Sequence, residues 1–329
     1  MAAIKYSVLD LATVIEGHTI ADSFKGSVAN AQQAEALGYT RYWFAEHHNM
    51  INVASSATSL LISHIAGNTS TIRVGSGGIM LPNHSPLVVA EQFGTLESLY
   101  PGRIDLGLGR APGSDQTTAH AIRGENMGAA FHFPQDVAAL QHYFNGDHPN
   151  GVSAVPGEGL DIPIWILGSS LDSAQLAAAM GLPYAFASHF APAYFLQAID
   201  LYRKNFKPSS QLAQPYVLAC VNVAAADTDA EAEYLATSLK QLFRGIITGR
   251  RQLLPRPVES MDGIWSTAER DAAMQMLAYS FFGSKATLQA ELKRFVERTG
   301  IQEIMATSHI YDQTARLKSY RLLAEALNA

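Results

Sequence analysis

Apolar and polar positions along the chain alternate between two rhythms. Short runs rich in β-branched and aromatic residues recur at Tyr6–Leu11, Arg41–Glu46, Ile72–Gly75, Ile104–Leu108, Ile164–Leu167, Tyr184–Ala187, Val217–Val223 and Glu303–Thr307. Their length and composition predict strands. Longer stretches between them space apolar residues three and four apart. These are Val28–Leu37, Ala57–Ala66, Pro86–Tyr100, Pro134–Phe144, Ser173–Met180, Ala193–Phe206, Lys285–Thr299 and a closing Ala315–Ala326. That spacing predicts amphipathic helices. Strand–helix alternation makes a parallel sheet. Eight such units predict an α/β protein with a closed (β/α)8 TIM barrel rather than an open sheet.

Local signals support the boundaries. Ser85 can cap a helix whose first residue is Pro86. Val89, Phe93, Leu96 and Tyr100 then form one apolar stripe, and Pro101-Gly102 ends it. Two connections exceed ordinary loop length: residues 111–133, and residues 224–284 between strand seven and the final helix and strand. The second is read as a lid or substrate wall at the carboxyl end of the barrel. No repeat, low-complexity tract or linker interrupts the pattern, so residues 1–329 are expected to form one domain.

Composition narrows the function classes. Apolar content of 48% with 16% charged residues fits a globular interior. The net charge of −6 and the lack of a basic run argue against nucleic acid as a partner. No apolar run approaches the length of a membrane span. The first residues show no basic segment followed by an apolar one, so no secretory leader is expected and the cytoplasm is the expected location. The single cysteine, Cys220, excludes intrachain disulfides and cysteine-rich zinc sites. It lies in an apolar strand, as a buried small residue would.

The candidate chemistry sits at strand ends, where parallel sheets bind ligands. The second strand ends in Glu46-His47-His48. Alternating directions along a strand keep the three from sharing one metal, so no metal site is expected. They form either a polar strand end or a barrel-mouth group able to act as acid or base. The third strand runs into Gly75-Ser76-Gly77-Gly78, and the fourth into Gly107-Leu108-Gly109-Arg110-Ala111-Pro112-Gly113. Neither is a dinucleotide fingerprint: Met80 breaks the first, and the last glycine of the second comes one residue late. Two glycine-rich ends on neighbouring strands, one with an arginine, suit close backbone approach to a large anionic ligand. After the fifth strand, Gly168-Ser169-Ser170-Leu171-Asp172-Ser173 opens a helix. It reads either as an ordinary cap or, with Arg110, as a phosphate cradle. His84 and His189 also lie at strand ends and read as wall histidines.

Three blocks resemble the luciferase-like flavin-dependent monooxygenases, the bacterial luciferase superfamily, and in particular its mostly unassigned bacterial branch. They are FAEHHN, VGSGGIMLPNHSPLVVAEQFGTLESLYPGRIDLGLGRAPGSD and WILGSSLDSAQLAAAMGLPYAFASHF. The resemblance covers nearly the whole chain and implies the (β/α)8 barrel. It implies reduced FMN as co-substrate, delivered by a separate NAD(P)H-dependent flavin reductase, with one oxygen atom of O2 passed to a small organic substrate. Deazaflavin F420 with hydride transfer, or a non-catalytic flavin binder, are the alternatives. Arg110, Ser170 and Ser173 would hold the flavin phosphate, with Ser169 contributing backbone. Gly77-Gly78 would form a non-proline cis peptide beneath the flavin ring. Glu46 would be a flavin-pocket acid and His47 the catalytic residue. Gly109 stands where luciferase has its reactive cysteine, so aldehyde specificity and light emission are not carried over. The resemblance also implies a homodimer, with the helix at Ala57–Ala66 as its face.

Overall fold

The computed structural model describes residues 4–148 and 151–329. The leader-free reading of the amino terminus rests in part on residues 1–3, which lie outside them. Eight parallel strands close a barrel: β1 (Lys5–Asp10), β2 (Arg41–Phe44), β3 (Arg73–Met80), β4 (Ile104–Gly109), β5 (Ile164–Gly168), β6 (Tyr184–Phe186), β7 (Val217–Ala226) and, last in sequence, β9 (Glu303–Thr307). Each pairs with the next, and β9 pairs with both β7 and β1. The expected barrel is therefore present, but a ninth strand was not anticipated. β8 (Ser280–Ser284) lies outside the barrel against the upper half of β7, from Asn222 to Ala226.

Helices α1 (Ile20–Ala36), α2 (Thr58–Gly67), α3 (Pro86–Leu99), α5 (Phe133–Asn145), α6 (Leu171–Met180), α7 (Phe195–Asn205), α10 (Lys285–Thr299) and α11 (Gln313–Leu327) match the eight expected helices. α1 begins eight residues earlier than its apolar pattern. A capping box of Thr19 with Asp22 fixes that start, and its first turns are exposed and so lack the apolar stripe. Pro86 opens α3 as expected, but the Ser85 side chain makes no cap bond.

The 111–133 segment contains α4 (Gln116–Arg123) and a 3-10 turn at Met127–His132. The long segment expected to begin at residue 224 starts within β7. It continues as α8 (Asp229–Thr248) and α9 (Thr267–Met276) and returns as β8. Its middle is tied to the barrel's carboxyl end. The Leu254 amide donates to the Val14 carbonyl at 3.0 Å, and Glu16 donates back to Leu254 at 2.9 Å. Arg251 lies 3.5 Å from Asp115 in the loop after β4.

The lumen is filled in layers. At the floor Arg41 pairs with Asp105 at 2.7 Å and Glu303 at 2.8 Å, and Arg73 adds a second bond to Asp105 at 2.7 Å. These charges persist in the interior because each is paired. Above them lies an apolar plug that includes Leu9, Trp43, Trp165, Leu218, Cys220 and Met305. The larger apolar layer lies between the strands and the surrounding helices. Side chains alternate along a strand, so the plug fixes which residues reach the mouth. Continuing two residues at a time from Ala45, Cys220 and Met305 gives His47, Asn222 and Thr307.

Candidate active site

The mouth has one sector without side chains. Gly77, Gly78, Gly107 and Gly109 occupy the carboxyl halves of β3 and β4. A Cβ on Gly77 would stand 3.0 Å from both Leu9 and Trp43, and one on Gly78 would stand 2.6 Å from the Gly107 carbonyl oxygen. A Cβ on Gly107 would collide with the Ser76 carbonyl. Only glycine fits this wall. The register shifts between Gly77 and Ile79, where Ser76 bonds the Gly107 backbone at 2.8 and 3.0 Å. The Gly77–Gly78 peptide is cis.

At one end of this sector Arg110 faces the amino terminus of α6. Its guanidinium lies 3.3 Å from the exposed carboxylate of Asp172. Ser170 is the N-cap, accepting weakly from the Ser173 amide at 3.4 Å. The Ser173 hydroxyl points inward, 2.8 Å from the Ser170 carbonyl and 3.0 Å from the Tyr184 hydroxyl. The structure thus brings Arg110, Ser169 and Ser170 to one helix end. The Ser173 hydroxyl is taken up by the Ser170 carbonyl and the Tyr184 hydroxyl.

At the other end stands Glu46, 1% exposed. Its Oε1 accepts from His48 Nε2 at 2.8 Å and Asn83 Nδ2 at 3.0 Å. Its Oε2 accepts from the Met80 amide at 2.9 Å and His84 Nε2 at 2.9 Å. Burial pushes this carboxyl's pKa up, but the hydrogen bonds from His48, His84 and Asn83 outweigh it and hold the pKa at about 2. Both of its oxygens are occupied by protein donors, which tie the expected flavin-pocket acid to the 80–84 turn. His48 and His84, left without a role by the sequence, are its partners.

His47 points the other way. Its Nδ1 lies 3.4 Å from the Gly113 carbonyl, and its Nε2 makes no hydrogen bond among the described residues. Gly113 (φ +66°) closes tightly here, since a Cβ would lie 2.7 Å from the Glu46 carbonyl oxygen. Burial lowers the His47 pKa, opposed by the Gly113 carbonyl and the Glu46 charge. Across the mouth are His189, just after β6, and His309, just after β9. Burial lowers them to about 3 and about 4, with His309 and His47 adding to the effect on His189. His309 was missed in the sequence. It lies two residues past a strand end, a position already marked as informative at His189. Among the described residues no group of three or more His, Cys, Asp or Glu could hold a metal. No helix there is long and apolar enough to cross a membrane.

A family model described as luciferase-like monooxygenase matches residues 4–303. A luciferase-like monooxygenase of Escherichia coli (strain K12) is 52% identical over 320 residues, covering 97% of this chain and 96% of its own. The N-acetyl-S-alkylcysteine monooxygenase of Bacillus subtilis (strain 168) is 31% identical over 348 residues, covering 99% of each. The solved structure of apo-MsnO8 aligns with a TM-score of 0.88 at 36% identity, covering 99% of this chain and 98% of that one.

Proposed function

The chain belongs to the luciferase-like monooxygenase family, and on that premise we propose that it is a flavin-dependent monooxygenase using reduced FMN and O2 to oxygenate a small organic substrate. The observation that carries this is the glycine-only sector of β3 and β4, bounded by Arg110 and the α6 amino terminus on one side and His47 on the other. A flat ring with a phosphate tail has that shape and charge pattern. Bound reduced flavin would supply the two electrons that activate O2, one oxygen atom going to the substrate and the other leaving as water.

The chain's own residues would divide the remaining work. Arg110, the Ser170 hydroxyl, the Ser169 backbone and the amides at the start of α6 would hold the phosphate, where the helix end favours negative charge. The bare backbone of Gly77, Gly78 and Gly107 gives the ring a close seat. His47 holds or moves a proton at Nε2. Glu46 fixes the turn carrying Met80 and, through His48, the end of β2. The 224–284 segment, tied to the loops after β1 and β4, walls the mouth and excludes water. Reduced FMN would be delivered by a separate NAD(P)H-dependent flavin reductase, as the lack of a dinucleotide fingerprint favours. A homodimer through α2 and α3 would cover Leu60 and Leu99, which are 71% and 60% exposed; a monomer mass in light scattering would refute it.

The test is anaerobic titration with photoreduced FMN and, in parallel, reduced F420, followed by oxygen uptake with a panel of thioethers, ketones and amines. The Bacillus relative's name puts N-acetyl-S-alkylcysteines first in that panel. FMN should bind at least ~10-fold more tightly than F420, or about 1.4 kcal/mol, and one substrate class should stimulate oxygen uptake. Tighter F420 binding would reassign the chain to hydride transfer. Binding without substrate-dependent uptake would make it a flavin carrier.

A further inference from the structure

The wall opposite the glycine sector holds polar atoms without partners. Among the described residues eight buried side-chain nitrogen or oxygen atoms make no hydrogen bond. Three of the eight lie together on the mouth side of three consecutive barrel strands, β6, β7 and β9: His189 Nδ1, Asn222 Oδ1 and His309 Nδ1. Native interiors rarely leave such atoms unpaired, and clusters of them mark places where a ligand or water completes the set. The arrangement is fixed by the fold. Asn222 follows Leu218 and Cys220 on the lumen face of β7, and Thr307 stands beside it on β9.

The chemistry of the three atoms selects a partner. Asn222 cannot flip, because its Nδ2 donates to the His189 carbonyl at 2.8 Å and reaches the Ser280 hydroxyl at 3.1 Å. Its free Oδ1 is therefore an obligate acceptor that demands an N–H or O–H. The two imidazoles can donate or accept. No carboxylate or guanidinium hydrogen-bonds to any of the three. The charge of Arg316 acts on His309, but its Nε and Nη2 are held by the Ile310 carbonyl. Burial keeps both histidines neutral at pH 7. The wall thus offers an acceptor and neutral donors, and no charged group hydrogen-bonds to these atoms.

We propose that His189, Asn222 and His309 form a substrate subsite that binds an uncharged group carrying both a donor and an acceptor, such as a carboxamide, and so turns the reacting atom toward His47 and the glycine sector. The proposal rests on the monooxygenase reading for its claim that the occupant is the substrate. The subsite itself is tested without flavin.

The probes are cyclohexanecarboxamide, its near-isostere cyclohexanecarboxylate, and methylcyclohexane. Binding is read from the ring signals of the full chain labelled with ¹³Cε1-histidine, assigned with His189→Gln and His309→Gln. The carboxamide should move the His189 and His309 signals, while the carboxylate and the hydrocarbon leave them in place at equal concentration. Asn222→Leu should weaken the carboxamide response by about 10-fold, as loss of a buried partner does in polar specificity sites. Ser280→Ala, which removes a hydroxyl that helps hold the Asn222 amide, should weaken it less, and circular dichroism confirms folding of each variant. An equal or stronger response to the carboxylate or hydrocarbon overturns the proposal. So does no response to the carboxamide, or an unchanged one in both folded variants. Reduced FMN is titrated into the same wild-type sample. Failure of that binding defeats the flavin reading while leaving the carboxamide result to stand or fall alone.

Discussion

Replacing Glu46 with glutamine keeps its size and tests whether its charge anchors the site. The wild-type carboxylate receives two donors on each oxygen, and the new amide has only one acceptor end. If the NH2 replaces Oε2, it meets the Met80 amide, which cannot become an acceptor. If it replaces Oε1, it meets Asn83 Nδ2, and Asn83 cannot flip because its Oδ1 already accepts from Arg123 Nε at 2.8 Å. Either way the Met80 or the Asn83 N–H is left facing another donor, while the histidine on that oxygen can accept through its other tautomer. A hydrogen bond to a charged group is worth about 1.5–3 kcal/mol, and the N–H left unpaired puts the loss at the upper end of that range.

An independent figure comes from linkage. A carboxyl lowered from 4.5 to about 2 contributes on the order of 3 kcal/mol at neutral pH. Its folded pKa is depressed, so this stability is fully present above pH 4.5 and is lost as pH falls toward 2. Urea denaturation should therefore show Glu46→Gln less stable by about 3 kcal/mol at pH 7, with the gap narrowing by ~1 kcal/mol at pH 4. A folded variant within ~1 kcal/mol of wild type at pH 7 would show that the carboxylate does not hold the 80–84 turn.

Arg110→Ala should weaken reduced-FMN binding by about 2 kcal/mol, or ~30-fold, the modest value reflecting a half-exposed guanidinium. Asp172→Asn should tighten it by removing the carboxylate that now faces Arg110; calorimetry or fluorescence titration reads both, and unchanged affinity in Arg110→Ala would displace the phosphate site. His47→Gln should leave FMN affinity intact and slow substrate oxygenation by ~10²–10⁴, the usual loss of a general acid or base; unaltered turnover would return His47 to a structural strand end. His189 and His309 have folded pKa values depressed to about 3 and about 4, so unfolding takes up protons below pH 6.5. Each should cost about 2 kcal/mol of stability between pH 7 and pH 5, and urea midpoints in His189→Gln and His309→Gln should fall less steeply over that range than in wild type.

Most of the barrel was legible because its strands are buried on both faces and read as short apolar runs. β8 was not, since Ser280–Ser284 (SFFGS) is brief, alternates in burial and pairs with only half of β7. α8 was lost for another reason: a helix covering a strand's extension, not the barrel itself, was absorbed into a connection that looked too long. At the site, glycine spacing and Arg110 carried real positional information, because close backbone approach can be inferred from residue type. Hydrogen-bond direction cannot. Nothing in Glu46-His47-His48 says that Glu46 turns toward Asn83 and His84 while His47 turns to the mouth. Nor could the sequence show that Ser173 spends its hydroxyl on Tyr184. The orphaned atoms of Asn222 and Ser308 are further from view still, because the absence of a partner is a property of the folded interior alone.

The division of labour among the three mouth histidines follows from their surroundings. Protonating His189 in place would cost on the order of 4–5 kcal/mol at neutral pH relative to a free imidazole, the energy of a pKa lowered from 6.5 to about 3. A step that needed His189 as an imidazolium would carry that cost into its barrier. Burial acts on His47 as well, but the Gly113 carbonyl and the Glu46 carboxylate work against it, so only there does the protein supply groups that favour the charged ring. On the proposed reading, proton traffic therefore belongs to His47, while His189 and His309 act as neutral hydrogen-bonding groups. Such a wall can orient an uncharged substrate without the hydration shell that a fixed charge would bring into a site meant to exclude water.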